Sequence, residues 1–409
     1  MGTVNDPAHE WTDERLTELE RAMRDEYSQA AEEMRDRLDR ALRAYSSEKA
    51  QREKAMDSTE EAMKAHREWL RMQAIQQTRM GSMVDQLADA AVNANARAMD
   101  MVRDAVPTIY SENANRAAFD VDKAVGYDTK FTLVDESAVR ALIGSGVTDS
   151  PILREVRVPK VSRPKDYRWN RQEFTSAVTQ GILQGESIPD IVKRTRSIFG
   201  MNRAAAFRAA RTATTSAECA GRVSSYRRAE RLGIDLMQEW VATLDTRTRD
   251  SHRVLDGERV AVGEEFSNGL RFPGDPQGPG REVYNCRCTL VAAVDGIDQS
   301  AAARFSRLPD DMSYEEWKAG RDPKRAKPSG RSLREFMETP AADRAAKKAG
   351  VSKAQLRRRI VARLGADGKT GRDFPSMTRA EQQEALREAV ELTRKQDKPR
   401  GDRRRRGDA

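Results

Sequence analysis

Cys286 and Cys288, one residue apart in "VYNCRCTLV", are the pair with the most chemical potential in this chain of 409 residues and three cysteines. On a strand, residues i and i+2 share a face with Cα atoms about 6.6–7 Å apart. That places both sulfurs in one space and sends Arg287 the other way. A disulfide between them is disfavoured, because bridged cysteines usually have Cα atoms about 5.5–6 Å apart. Two thiolates at this separation can share a tetrahedral zinc ion at Zn–S distances of about 2.3 Å. Of the three histidines, His9 and His66 belong to the N-terminal region and only His252 is near in sequence. Asp245, seven residues earlier, could add an oxygen. The expected centre is His252, Cys286 and Cys288, completed by Asp245 or water. The same residues also fit an ordinary buried strand face of Cys286, Cys288 and Leu290, with His252 hydrogen-bonded to Asp245. Zinc pairs more often have two intervening residues, so both readings stand.

A third reading is catalytic. Asp245, Arg247, Arg249, His252, Glu264 and Glu265 gather acids, bases and a metal site, as a metal-dependent hydrolase of nucleic acid or cell wall would. There is no second carboxylate cluster for a two-metal site, no Gly-rich phosphate loop and no nucleophile elbow. Arg247 and Arg249 more simply form salt bridges at a strand–helix corner, so the chain is not expected to be an enzyme. Cys219, mid-helix in "TTSAECAGR", reads as core.

The elements around this constellation are legible from periodicity. "WNRQEFTSAVTQGILQGESIPDIVKRTRSIFG" reads as two helices split at "QGESIPD", with Ser187 as N-cap and Pro189 in the first turn. A third helix, from Asn202, stops at Gly233. "MQEWVATLD" alternates like a strand, with Trp240, Ala242 and Leu244 on one side. A short helical turn follows, then an Asp256-Gly257 turn and "ERVAV". After the loop "FSNGLRFPGDPQGPG", "VYNCRCTLVAAV" reads as a buried strand.

The remainder is mostly helical. Between Pro7 and Pro107 there is no proline and only Gly81. Apolar residues recur at helical spacing from Leu16 to Tyr45 and again from Met63 to Val92. This predicts a long helical arm over 1–107, folded back or packed on a partner, whose state as monomer, hairpin or oligomer the sequence leaves open. Residues 108–164 read as a connector with a short strand and a helix capped near Asp135–Ser137. Residues 165–300 read as a small α+β domain with a short sheet, and 301–409 as a basic region with helical pieces near 331–364 and 377–396 and a disordered tip. The fold class is thus α+β, mostly helical.

Charged residues make up 34% and aromatics 6%, with mean hydropathy −0.79, too polar for one large core. No run approaches 18 apolar residues and the N-terminus lacks a signal-peptide pattern, so neither a membrane span nor a cleaved signal is expected. Three unevenly spaced cysteines make no disulfide framework and fit a reducing compartment. Residues 301–409 hold 29 Lys/Arg against 17 Asp/Glu, so the rest of the chain carries −4 of its net +8. "KRAKPSGR", "KKAGVSKAQLRRR" and "RGDRRRRGDA" suit sequence-indifferent contact with double-stranded DNA through Arg357, Arg358, Arg359, Arg403, Arg404, Arg405 and Arg406, although a solvated charge run is the competing explanation.

The run from Phe207 to Leu290 resembles the head-morphogenesis domain of phage Mu F-like minor capsid proteins. An Ala/Thr-rich helix starts with Arg211-Thr212, followed by Trp240, Asp245-x-Arg247-Thr248-Arg249, His252 and Asp256-Gly257. Phe266, Pro273 and Asp275 come next, then Asn285-Cys286-Arg287-Cys288. The match covers about 165–295, a third of the chain, and no appended toxin or transferase domain is read. The resemblance implies a low-copy protein of the virion head, in the host cytoplasm during assembly, associated with the portal or major capsid protein. It would assist head assembly and DNA packaging or ejection. It also makes His252, Cys286 and Cys288 motif positions, which strengthens the zinc reading. In the resulting expectation, the arm docks on portal or capsid through its apolar stripe and the basic tail touches packaged DNA.

Overall fold

The computed structural model describes residues 6–79, 81–144, 154–159, 163–321, 331–366, 370–377 and 379–396. The chain divides into two compact units, Met1–Tyr314 and Glu315–Ala409. None of the described helices is long and apolar enough to cross a membrane.

The first unit is built on long helices, five of them with 20 or more residues among those described. Helix α1 (Pro7–Ala55) starts at Asp6, whose carboxylate accepts from the backbone N–H groups of Ala8 and His9 at 2.9 and 3.2 Å. This satisfies two of the otherwise orphaned first-turn donors. Its stripe of Met23, Tyr27, Met34, Leu38, Leu42 and Tyr45 is buried. α2 (Glu60–Arg79) folds back, and Trp69 stacks on Tyr45 with centroids 5.7 Å apart. α3 (Ser82–Val125) packs against α1 and, most extensively, against a later helix, α6 (Ile188–Arg231). Between them lie β1 (Tyr127–Asp128), α4 (Glu136–Gly144) and α5 (Arg163–Leu183). The α3–α6 contact is close because small residues face it. A Cβ added at Gly221 would lie 2.4 Å from the carbonyl oxygen of Tyr110, so the crossing admits only hydrogen there.

Three expectations are corrected here. The arm does not end at Pro107, which sits inside α3. A mid-helix proline loses a hydrogen bond and crowds the preceding turn, but Val102, Val106, Ile109 and Tyr110 on both sides are buried and hold the helix through it. Nor is the arm's apolar stripe an open docking face, because α1 is covered by α3 and α6 within the same unit. Likewise, the helix expected to begin near Asn202 is continuous with its predecessor, since Gly200 lies in open space and stays helical. Ser187 caps α6 as expected, accepting from the N–H of Asp190 at 3.4 Å.

A three-stranded antiparallel sheet in the order β3-β2-β4 follows: β2 (Ile234–Val241), β3 (Arg259–Ala261) and β4 (Thr289–Ile297). Trp240 pairs with Leu290 and Val241 with Thr289. Between β2 and β3 lies α7 (Asp250–Arg253), and before β4 lies α8 (Gly280–Val283). Trp240 and Ala242 are buried as expected. Leu244 is 53% exposed, because the strand ends at Val241 and the chain turns away. After β4 come α9 (Gln299–Ala302) and β5 (Ser306–Arg307), which pairs with β1.

A buried polar network ties the start of α1 to the sheet. Arg222 of α6 donates to Asp6 at 2.6 Å, to Glu218 at 3.1 Å and to the Leu290 carbonyl at 2.8 Å. Glu218 also accepts from Thr289 at 2.6 Å and faces His9 Nδ1 at 2.9 Å. The Glu218 carboxylate, opposed by burial, raises the His9 pKa from 6.5 to about 9. A raised folded-state value means that protonated His9 stabilises the fold. Its contribution is complete below pH 6.5 and is lost as pH rises through 9. The stability of this unit is therefore expected to fall by up to about 3 kcal/mol across that window, and His9→Gln should flatten the fall in urea unfolding followed against pH.

The second unit begins with Glu315 and contains most of α10 (Tyr314–Ala319), then α11 (Leu333–Met337), α12 (Pro340–Ala349), α13 (Lys353–Ala366), a 3₁₀ turn at Phe374–Ser376 and α14 (Arg379–Gln396). It is more organised than the basic composition suggests. Leu333, Phe336, Leu356, Ile360, Leu364 and Phe374 make a core of their own, and Ser332 with Glu335 forms a reciprocal capping box. The tip expected to be disordered lies outside the described residues.

Candidate metal centre

The loop before β4 is held in place from α6. Thr215 donates to the Cys286 carbonyl at 2.7 Å, and the N–H of Asn285 donates to Thr212 at 3.2 Å. Asn285 adopts a left-handed conformation with φ 56°, which asparagine tolerates better than most residues. The Pro273-Gly274-Asp275 turn presses on the same helix, where a Cβ at Gly274 would meet the Ser216 nitrogen at 2.8 Å. Asp256 accepts from the N–H of Ala242 at 2.9 Å and fixes the hairpin that leads into α7.

These constraints bring three donors together. Nδ1 of His252 lies 3.5 Å from Sγ of both Cys286 and Cys288, and among the described residues these three form a group whose ligand atoms lie within 4.8 Å of one another. All three are buried, at 1%, 1% and 2% exposure. The cysteines precede β4 instead of lying within it, since the ladder begins at Thr289. Their sulfurs nevertheless share one side.

Electrostatics separates the two thiols. The Cys286 thiol hydrogen-bonds to Cys288, and with help from His252 this pulls the Cys288 pKa down to about 5 against the opposing effect of burial. The Cys286 thiol is pushed upward, chiefly by the same pairing and then by burial. The pair thus favours a single negative charge shared between the two sulfurs. The other ring nitrogen of His252, Nε2, lies 3.1 Å from Glu282 Oε2, which also accepts from Ser251 at 2.9 Å. A carboxylate on the far nitrogen fixes the tautomer that leaves Nδ1 free as a metal donor. Trp240 packs edge-on against the ring at 5.2 Å.

Asp245 is not part of this group. Both its oxygens are engaged by Arg287, at 2.6 and 2.7 Å, and that guanidinium holds its carboxyl well below the usual range. Arg287, alternating away from the sulfurs, captures the aspartate on the opposite side. Glu282, which sequence reasoning missed, occupies the supporting place instead. Its only signal in the sequence was an acid four residues before Cys286. Glu264 and Glu265 are exposed and outside the group, and Cys219 is buried in α6, also outside it. In the second unit, Arg357 and Arg358 are exposed on α13 and Arg359 is half-buried, while Arg403 to Arg406 lie outside the described residues.

Comparison with known proteins matches residues 172–291 to the family described as Phage Mu protein F like protein. The minor head protein GP7 of Bacillus phage SPP1 is 27% identical over 235 residues, 54% of this chain and 71% of that protein. The NAD(+)--arginine ADP-ribosyltransferase EFV of Enterococcus faecalis (strain ATCC 700802 / V583) is 32% identical over 154 residues, 37% of this chain. The chain spans only about a third of that transferase, 32% of its length. No solved structure matches. The matched segment holds α6, the sheet residues up to Val291 and all three donors of the buried group, so the likeness to the phage Mu F-like family is carried by the part of the chain that builds this site.

Proposed function

We propose that this chain is a minor head protein of a tailed phage, located in the virion head, that binds the portal or major capsid protein and assists head assembly and DNA packaging or ejection. The observation that carries this reading is the likeness to the SPP1 minor head protein over 71% of that protein's length. Its core module is pinned by one zinc ion on His252, Cys286 and Cys288, with water as the fourth donor and Glu282 orienting the histidine. Donors at most 2% exposed leave a water at the fourth position little access to substrate, which favours a structural role over a catalytic one. The exposed arginines of α13, and Arg403 to Arg406 beyond it, add sequence-indifferent contact with packaged duplex DNA.

With the stripe of α1 buried, an apolar surface for a protein partner remains along α2 and the turn that precedes it. Met56, Met63, Met72 and Ile75 are 39–59% exposed there, and methionine-rich surfaces adapt readily to a partner. Co-expression with the portal protein of the same phage, followed by size-exclusion chromatography, tests the reading. The pair should co-elute, and Met72→Glu/Ile75→Glu should weaken the complex at least about tenfold, the effect of roughly 1.4 kcal/mol. A folded, soluble protein that elutes apart from the portal and capsid proteins would count against it.

A further inference from the structure

Six arginines converge where the Tyr284–Asn285 segment crosses α6. Two adjacent clefts lie there. Arg211, Arg247, Arg249 and Arg287 line one of about 590 Å³ together with Asn285. Arg157 and Arg208 line the other, about 480 Å³, together with Tyr284.

The arginines differ in what they are already committed to. Arg287 is held by Asp245, and Arg211 donates to Glu20 at 2.6 Å. Arg247 is 76% exposed and approaches Asp245 only to 3.8 Å. Arg157, Arg208 and Arg249 have no carboxylate partner among the described residues. They surround Tyr284 instead. Arg157 lies 4.8 Å above the ring and donates to its hydroxyl at 3.0 Å, Arg208 lies at 6.0 Å, and Arg249 donates to the Tyr284 carbonyl. Even with Asp13, Glu20 and Asp245 counted against them, the six guanidinium groups leave this surface positive.

We infer that the double cleft is a docking groove for the phosphate backbone of duplex DNA. The inference rests on the head-protein reading for the presence of packaged DNA, but on different residues from the basic C-terminal region. Guanidinium forks match phosphate oxygens in pairs and are only weakly hydrated, which makes arginine the preferred residue for such contacts. These arginines stand on a helix, on the turn after β2 and on loops pinned to α6, so the backbone that presents them is already ordered before binding. Contact is with the backbone and not the bases, because the exposed aromatic ring in the groove is already occupied by arginines. A protein partner would need a larger apolar centre than this groove offers, since beside Tyr284 its second cleft is walled by alanines, Val158 and Pro159.

The test uses the full-length protein and a short random-sequence DNA duplex, with binding followed by fluorescence anisotropy across a salt series. Arg208→Ala/Arg247→Ala changes two exposed side chains, and unchanged thermal unfolding confirms the fold. Losing two phosphate contacts should weaken binding and make the slope of log K against log salt shallower by about 1.8. A variant with Arg403 to Arg406 changed to alanine serves as the comparison. If the groove variant binds like the parent while the tail variant loses affinity and slope, the groove is not a DNA site. Absence of duplex binding by the parent protein overturns it too. Loss of portal co-elution by the groove variant with DNA binding intact would assign the groove to an acidic protein surface and also overturn it. Portal co-elution of the parent is measured separately, so failure of the groove leaves the head-protein reading standing.

Discussion

Arg222→Ala should destabilise the first unit by about 3–5 kcal/mol, the usual cost of removing one partner from a buried ion pair. The side chain is 3% exposed and serves four acceptors: Asp6, Glu218, the Leu290 carbonyl and, at 3.3 Å, Asn113. Truncation strands the Asp6 carboxylate, which burial would otherwise keep from ionising and which Arg222 holds in its charged form. Glu218 keeps Thr289 and His9, so the damage concentrates at the first turn of α1. Urea unfolding should show the midpoint shift with little change in slope. Arg222→Lys should recover only part of the loss, because an ammonium cannot reach acceptors on both α1 and β4 with a planar fork. A loss below about 1 kcal/mol would mean that the network is solvated and does not anchor the helix.

A comparable loss should follow removal of the metal. Full-length protein purified without chelator is expected to carry one zinc per chain, and Cys286→Ser, Cys288→Ser and His252→Ala should each abolish stoichiometric binding. Loss of a structural ion is among the few single changes worth roughly 4 kcal/mol. At about 2–4 °C per kcal/mol for a domain of this size class, the Tm should drop by about 10 °C, and chelation of the parent should reproduce the drop. Asp245→Asn should leave the zinc content unchanged. Glu282→Gln should retain zinc but bind it about 10–100-fold more weakly, as for other residues that orient a ligand. A folded parent without zinc, with stability unaffected by Cys288→Ser, would make the group an ordinary buried face with a thiolate–imidazole contact.

Much of this was legible in the sequence, and the misses have physical causes. His252, Cys286 and Cys288 were identifiable because alternation fixes which side chains share a side even where the ladder has not yet begun. The same alternation sent Arg287 to the other side, and the strong bidentate pairing it offers removed Asp245 from the metal side. That competition cannot be read from spacing. Glu282 had no periodic signature, since α8 is a single turn. The caps at Ser187 and Gly233 were readable because cap chemistry is local. Pro107 and Gly200 misled for the opposite reason: long-range burial along α3 and α6 outweighed local breakers. The sparse apolar positions of the second unit, scattered among lysines and arginines, concealed a core that is visible only once three helices are brought together.

The notch at Gly221 bears on what the matched segment needs around it. The matched segment 172–291 contains α6 but neither α1 nor α3, the helices that cover it. The face around Gly221 is shaped to accept a neighbouring backbone at a distance no side chain would allow. A gene that inherits only the motif segment therefore inherits an unfinished surface, and must bring or borrow a helix with its own small-residue track to close it. Expressed without α1 and α3, the matched segment would expose that face, and a helix laid across it must approach as closely as the Tyr110 carbonyl does.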